Sequence, residues 1–317
     1  MSTKIFPNKP LLCIVGPTAC GKTKLAVNVA EKLDGEILSA DSRQVYRDMT
    51  IGTGKDLGDY HINGKTIPAH LIDIANAGEQ YNVFLYQQDF YRVYDNVLQR
   101  GKLPVCCGGS GMYVEAILKA YRLDYVPENK NFRLELEQKS HEELVAMLSE
   151  MKVLHNVSDT KDRQRLVRAI EIAYHSPQDM NNYATYNFDY QIFYINADRE
   201  QLRKKIAARL KERFGQGMIE EVQNLINRGL TMEQLKYYGL EYKFIAQYLN
   251  HELSLDDMKE KLCIAIGQFA KRQQTWFNRM KKQGFDMIEI DMDMSLAEKT
   301  DVVISQWQQF CHTCLDK

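Results

Sequence analysis

The sequence predicts an α/β fold, a parallel sheet flanked by helices and interrupted by a helical insertion. Three observations carry that expectation. Short apolar runs alternate with amphipathic stretches through the first third of the chain, the pattern of a sheet whose faces are covered by helices. The first of those runs stops at a glycine-rich turn that opens a helix. Between residues 121 and 187 the strand signal fades and helical periodicity replaces it.

The elements follow in order. Leu11–Val15 (LLCIV) is continuously apolar, as a strand buried on both faces should be, and it stops at Gly16. A helix is expected over Lys22–Leu33 and a second strand over Glu36–Ala40, closed by Asp41-Ser42. Residues 54–66 are turn-rich, with Asn63-Gly64 a tight turn. Tyr81–Arg100 is helical in pattern, and Leu103–Cys107 is another buried strand ahead of Gly108-Gly109. Gln191–Asn196 is a late strand expected to rejoin the sheet. In the intervening stretch, Asn131–Met151 and Asp162–His175 carry helical patterns, and after Asp198 the chain is expected to be almost all helix. The clearest is Ser254–Lys282, opened by Ser254 and Asp257 in capping-box spacing. Leu262, Ile266, Phe269, Trp276 and Met280 fall on one stripe of it. The domains expected are 1–120 with 188–317 as a core with C-terminal helices, and 121–187 as the insertion.

Composition limits the classes available. The 317 residues are 44% hydrophobic and 26% charged, the balance of a soluble globular chain. No apolar run approaches the ~18 residues that cross a bilayer. MSTKIFPNKP has no apolar core of a secretory leader, and seven cysteines form no regular framework. A reducing cytoplasm is expected. With 41 Lys+Arg against 42 Asp+Glu the net charge is −1, which argues against a uniformly basic nucleic-acid binder. Local basic runs remain: Arg199–Arg213 has seven Lys/Arg against two Glu, and 161–168 has four against one Asp.

Gly16-Pro17-Thr18-Ala19-Cys20-Gly21-Lys22-Thr23 matches G-x-x-x-x-G-K-[ST] between a strand and a helix, the ATP-binding, nucleotide-binding loop pattern. Its glycines turn backbone N–H groups toward a phosphate chain, and the helix terminus adds partial positive charge. Lys22 would hold the terminal phosphates and Thr23 a magnesium ion. The fold expected is therefore P-loop nucleoside-triphosphate-hydrolase-like. This loop grips any di- or triphosphate and does not choose the reaction. Asp41-Ser42-Arg43-Gln44-Val45-Tyr46-Arg47 follows the second strand, at the carboxyl ends where such sheets bind ligands. It offers a base, a carboxamide suited to an adenine edge, and an anion contact.

Six segments in series resemble one family. They are Gly16–Thr23, Asp41–Arg47 with Ile51-Gly52-Thr53, His70-Leu71-Ile72-Asp73, Gly101–Tyr113, Gln164–Arg168, and Lys271-Arg272-Gln273-Gln274-Thr275-Trp276-Phe277. Together they resemble the tRNA dimethylallyltransferases (tRNA isopentenyltransferases), over about residues 11 to 280. The resemblance implies transfer of a dimethylallyl group from dimethylallyl diphosphate to N6 of the adenine 3′-adjacent to the anticodon. It implies Asp41, Ser110 and Lys22 as catalytic residues, and Gly16–Thr23 with Arg213 as the diphosphate site. It further implies tRNA contacts at Asp41, Ser42, Arg43, Gln44, Ser110, Arg133, Gln164, Arg165, Leu166, Val167 and Arg168. Magnesium on Thr23, the tRNA anticodon stem-loop as partner, no membrane, and a monomeric state complete the expectation. A free-nucleotide prenyltransferase, a nucleotide kinase of the same fold and a non-catalytic RNA binder are the alternatives.

The sequence departs from the family in places. Cys20 stands where Ser is common and Ser110 where Thr is common. Ala69 precedes His70 where a histidine pair is usual. The I-G-Y-[KR] element appears as Tyr238-Gly239-Leu240-Glu241-Tyr242-Lys243. Cys311-His312-Thr313-Cys314 resembles half a zinc site and is expected to be incidental. Cys106, Cys107, Trp276 and the tyrosines 237, 238 and 242 are expected to be packing residues.

Overall fold

The computed structural model describes residues 9–151, 160, 162–175 and 186–315. The expected apolar runs form strands because no other element buries both faces of so short a segment. β1 (Pro10–Val15), β2 (Gly35–Ser39) and β6 (Leu103–Gly108) are buried at every residue. With β5 (Ala69–His70), β7 (Asp189–Asn196) and β8 (Met287–Asp291) they make a six-stranded sheet in the order β5-β2-β6-β1-β7-β8, every pair parallel. Val15 lies opposite both Gly108 and Tyr194, so β1, β6 and β7 end at one edge. The phosphate loop, the Asp41 loop and the Ser110 turn leave that same edge.

Asn63 and Gly64, both left-handed, close a separate two-stranded hairpin of β3 (His61–Ile62) and β4 (Lys65–Thr66). The helices Lys22–Leu33 and Val83–Gln99 pack on the sheet. The part after Asp198, expected to be almost all helix, is helical apart from β8 among the described residues. β8 is five residues of edge strand between two helices, too short for alternation to stand out from the flanking helical period.

Two compact units result, residues 1–120 with 186–317, and residues 121–185. Tyr186 belongs to the first because it stacks on Tyr91 at 3.9 Å. The second unit has its own small core of Leu136, Leu144, Leu148, Leu166, Val167 and Ile170. The stretch expected as one helix from Asn131 is two, Lys130–Glu137 and His141–Met151. Ser140 and Glu143 form reciprocal hydrogen bonds of 3.2 and 2.7 Å that start the second. Arg163–His175 is a further helix described in this unit; Lys161 of the basic run lies outside the described residues.

On the long helix Leu255–Lys282 the buried residues are Met258, Leu262, Ile266, Ala270, Gln273, Phe277 and Met280. Phe269 and Trp276, placed on the stripe from the sequence, fall off it. Steps of four carry the true stripe onto Ala270, and a step of three carries it on to Gln273, a polar residue that a hydrophobicity count passes over.

Candidate active site

The phosphate loop runs from β1 into the helix Lys22–Leu33. Ala19 and Gly21 take left-handed backbone angles (φ 62° and 86°), and no side chain caps the helix N-terminus at Gly21. Its first-turn N–H groups therefore remain open to an anion. Lys22 Nζ rests on the Pro17 carbonyl at 2.9 Å. Two cavities meet at this loop. The first, of about 360 Å³, is lined by Thr18, Lys22, Thr23, Asp41–Gln44 and Ser110; the second, of about 520 Å³, by Ala19, Gly21–Lys24 and Asp56–Asp59. Lys22, Thr23, Arg209 and Arg213 line both.

The Asp41 loop is held from several directions. Asp41 Oδ1 accepts from the Arg43 amide at 2.8 Å, leaving Oδ2 without a protein donor among the described hydrogen bonds. Ser110 Oγ accepts from the Ser42 amide at 3.0 Å, which ties the β6 turn to the loop. Arg43 donates to the Tyr237 carbonyl at 2.5 Å. Gln44 lines the cavity, but its Nε2 donates to the Gly54 carbonyl at 2.9 Å and its Oε1 faces Ser39 Oγ at 3.4 Å. Its carboxamide thus braces the loop from inside.

Arg213 is 8% exposed and approaches Asp56 at 3.6 Å, with Nη2 making no hydrogen bond. Burial and the neighbouring Arg209 charge push its pKa below the ordinary arginine value. An acidic ligand at the shared wall relieves both. Gly54 is required here, since a Cβ at that left-handed position would lie 1.8 Å from Arg213 Nη2. Glu241 also faces this cavity; burial, with some help from Asp41, raises its carboxyl above the ordinary range against the pull of Arg213 and Arg209. Burial pushes the Cys107 thiol up to about 12, which removes it as a nucleophile at neutral pH.

Sequence reasoning missed two supports. Gln273 on the long helix accepts from the Thr18 amide at 2.8 Å and donates to the Gly109 carbonyl at 2.9 Å, clamping the phosphate loop to the β6 turn. A Cβ on Gly109 would lie 2.5 Å from Gln273 Nε2, so that glycine makes the clamp possible. Glu221 accepts from the amides of Thr50, Ile51 and Gly52 (2.8, 2.7 and 3.0 Å) and from Tyr242 at 2.7 Å. It thereby shapes the Ile51-Gly52-Thr53 turn.

The six resemblance segments now have positions. In His70–Asp73, His70 bonds Glu36 at 2.6 Å and Asp73 pairs with the buried Lys55, so both serve the frame. In the smaller unit, Arg133 and Arg168 both grip the buried Glu171. Leu166 and Val167 turn into that unit's core, while Gln164 and Arg165 stay on its surface. Cys311 is buried, and no group of three or more metal-ligating residues occurs among the described residues.

The family model described as IPP transferase matches residues 44–280, and one described as isopentenyl transferase matches residues 10–64. A tRNA dimethylallyltransferase 1 of Parabacteroides distasonis is 51% identical over 292 residues, 91% of this chain and 94% of its own. The chain belongs to the tRNA dimethylallyltransferase (IPP transferase) family. A second member, tRNA dimethylallyltransferase 2 of Bacteroides fragilis, is 47% identical over 96% of this chain and 100% of its own. The crystal structure of a full-length tRNA isopentenylpyrophosphate transferase from Bacillus halodurans superposes with a TM-score of 0.72 at 27% identity, covering 98% and 99% of the two chains. Family membership makes this chain a transferase of tRNA modification on a P-loop-like sheet. No helix among the described residues is long and apolar enough to cross a membrane.

Proposed function

We propose that this enzyme moves the dimethylallyl group of dimethylallyl diphosphate onto N6 of the adenine 3′-adjacent to the anticodon, releasing diphosphate. The observation that carries the reading is the shared wall. Lys22, Thr23, Arg209 and Arg213 line both cavities, whereas Asp41 and Ser110 line only the first. A diphosphate on that wall leaves its carbon end in the first cavity, where Leu240 and Ile266 offer apolar surface and Asp41 offers a base.

The chemistry then divides among these residues. The C1–O bond to diphosphate breaks as the N6–C1 bond forms, and Asp41 Oδ2 accepts the proton that N6 gives up. Ser110 fixes the loop that carries Asp41 and presents its hydroxyl to the same space. Lys22, Arg213 and the open helix N–H groups take the charge that builds on the leaving diphosphate. Thr23 would hold magnesium through its hydroxyl, which lies beside Lys22 on the shared wall and is the oxygen donor this ion prefers. That ion would supply further charge neutralisation. In the smaller unit, Gln164, Arg165 and the outer faces of Arg133 and Arg168 are the proposed tRNA contacts. We further place the enzyme in the cytoplasm, as a monomer.

The test is direct. Purified protein with magnesium and dimethylallyl diphosphate should convert an anticodon stem-loop adenosine to its N6-prenyl form, read by nucleoside mass spectrometry. An unmodified stem-loop, under conditions where a relative modifies it, refutes the reading. AMP supplied as competing acceptor should remain unchanged; preferential prenylation of AMP would transfer the assignment to a free-nucleotide enzyme.

A further inference from the structure

Two aromatic rings beside the first cavity have no part in the transfer as derived. Tyr237 is 40% exposed and Phe269 39%, although the residue following each, Tyr238 and Ala270, is buried. The tyrosines 238 and 242 are buried, as packing residues should be, whereas Tyr237 packs along its edges and keeps part of its ring exposed. Its ring is nevertheless held firmly. The hydroxyl donates to the Tyr81 carbonyl at 3.2 Å, and Tyr46 and Tyr238 meet the ring edge-on at 6.5 and 5.4 Å. Phe269 lines the cavity itself, one turn before Gln273. Each ring has an arginine beside it: Arg43 at 5.4 Å from the Tyr237 centre and Arg272 at 5.8 Å from that of Phe269. Lys236 and Lys243 line the same cavity, in which seven basic residues face two acidic ones.

Resting on the function proposed above, we propose that Tyr237 and Phe269 are stacking platforms for the unpaired nucleotides that flank the acceptor adenine. An adenine must leave its stack to place N6 against Asp41, and its two neighbours then lose a partner face. An exposed ring replaces that face for any base, and an adjacent guanidinium meets the phosphate that follows it. A free nucleotide has no neighbours to occupy these rings, so their exposure at a cationic mouth fits an RNA loop.

The experiment places 2-aminopurine on either side of the acceptor in an anticodon stem-loop and titrates each with the protein. Wild type should change the fluorescence on binding. Tyr237→Leu, which keeps bulk but removes the plane, and Phe269→Leu should each lose that change at one flank and raise the stem-loop KM about tenfold. The KM for dimethylallyl diphosphate should stay within twofold, and Tyr237→Phe should behave as wild type. Unchanged fluorescence responses and a stem-loop KM within twofold in both leucine variants overturn the proposal. Fluorescence needs no turnover, so it reads the platforms even if transfer to the stem-loop fails.

Discussion

Gln273→Ala removes the clamp between the phosphate loop and the β6 turn, and the structure sets the size of the effect. Two neutral hydrogen bonds are lost, at 2.8 and 2.9 Å, each contributing about 1 kcal/mol net. The Thr18 amide can turn to water, because Thr18 lines the cavity. The Gly109 carbonyl is buried, and leaving it unpaired costs about 1–3 kcal/mol. Counting about 1 kcal/mol for the Thr18 bond and the 1–3 kcal/mol penalty in place of the net value for the Gly109 bond, the destabilisation is about 2–4 kcal/mol, with a phosphate loop no longer fixed at Thr18. Urea unfolding should report the first, and a raised KM for dimethylallyl diphosphate the second. Gln273→Glu sharpens the test: it keeps an acceptor for Thr18 but sets a carboxylate oxygen against the Gly109 carbonyl, so it should be no better than alanine. A Gln273→Ala protein within about 0.5 kcal/mol of wild type, the range of a neutral surface change, with unchanged KM, would refute the clamp.

Asp41→Asn should lose most turnover yet bind the stem-loop as wild type does; near-full kcat would remove Asp41 as the base. Arg213→Met should raise the KM for dimethylallyl diphosphate about tenfold or more through loss of a charged hydrogen bond, and an unchanged KM would take Arg213 out of the diphosphate site. In the smaller unit, burial alone would raise the Glu171 carboxyl, but hydrogen bonds from Arg133, the Asn129 amide and Arg168 outweigh it and bring it down to about 2. Its stabilisation, up to about 3 kcal/mol, is present above pH ~4.5 and is lost as pH falls toward 2; Glu171→Gln should abolish that slope. Glu241 has the opposite sign. Its raised carboxyl makes folding less favourable as pH rises from the ordinary value of 4.5, so Glu241→Gln should be the more stable protein at pH 8. A less stable glutamine variant would contradict this.

What the sequence disclosed was local in the chain. The phosphate loop, the strand ends at Asp41 and Ser110, and the central strands were readable because eight or fewer consecutive residues carry each signal. The clamp was not, since Gln273 and Thr18 are 255 positions apart. Glu221 was hidden for the same reason, acting across 169–171 positions on three backbone amides. Arg133 and Arg168 were legible as basic residues but not as partners of a buried glutamate, which satisfies much of their charge inside the smaller unit. Of three clustered tyrosines, only contacts decide which one is left facing outward.

The net charge of −1 is a poor guide for a related reason: it averages over faces, and the first cavity collects seven basic side chains against Asp41 and Glu241. That imbalance is what a trianionic donor and an RNA loop require together. It also bears on the choice between reactions open to a phosphate loop. Phosphoryl transfer puts the acceptor at the terminal phosphate and has no use for apolar wall next to the base. Here the carboxylate best placed to take a proton shares its cavity with Leu240 and Ile266, on the side of the shared wall that a donor's carbon end would occupy. Charge on one side and hydrocarbon on the other match a bond that breaks between an allylic carbon and a diphosphate oxygen. Exchanging Ile266 for a charged residue should therefore raise the donor KM while leaving diphosphate itself bound as an inhibitor, and equal losses for donor and diphosphate would show that the carbon end lies elsewhere.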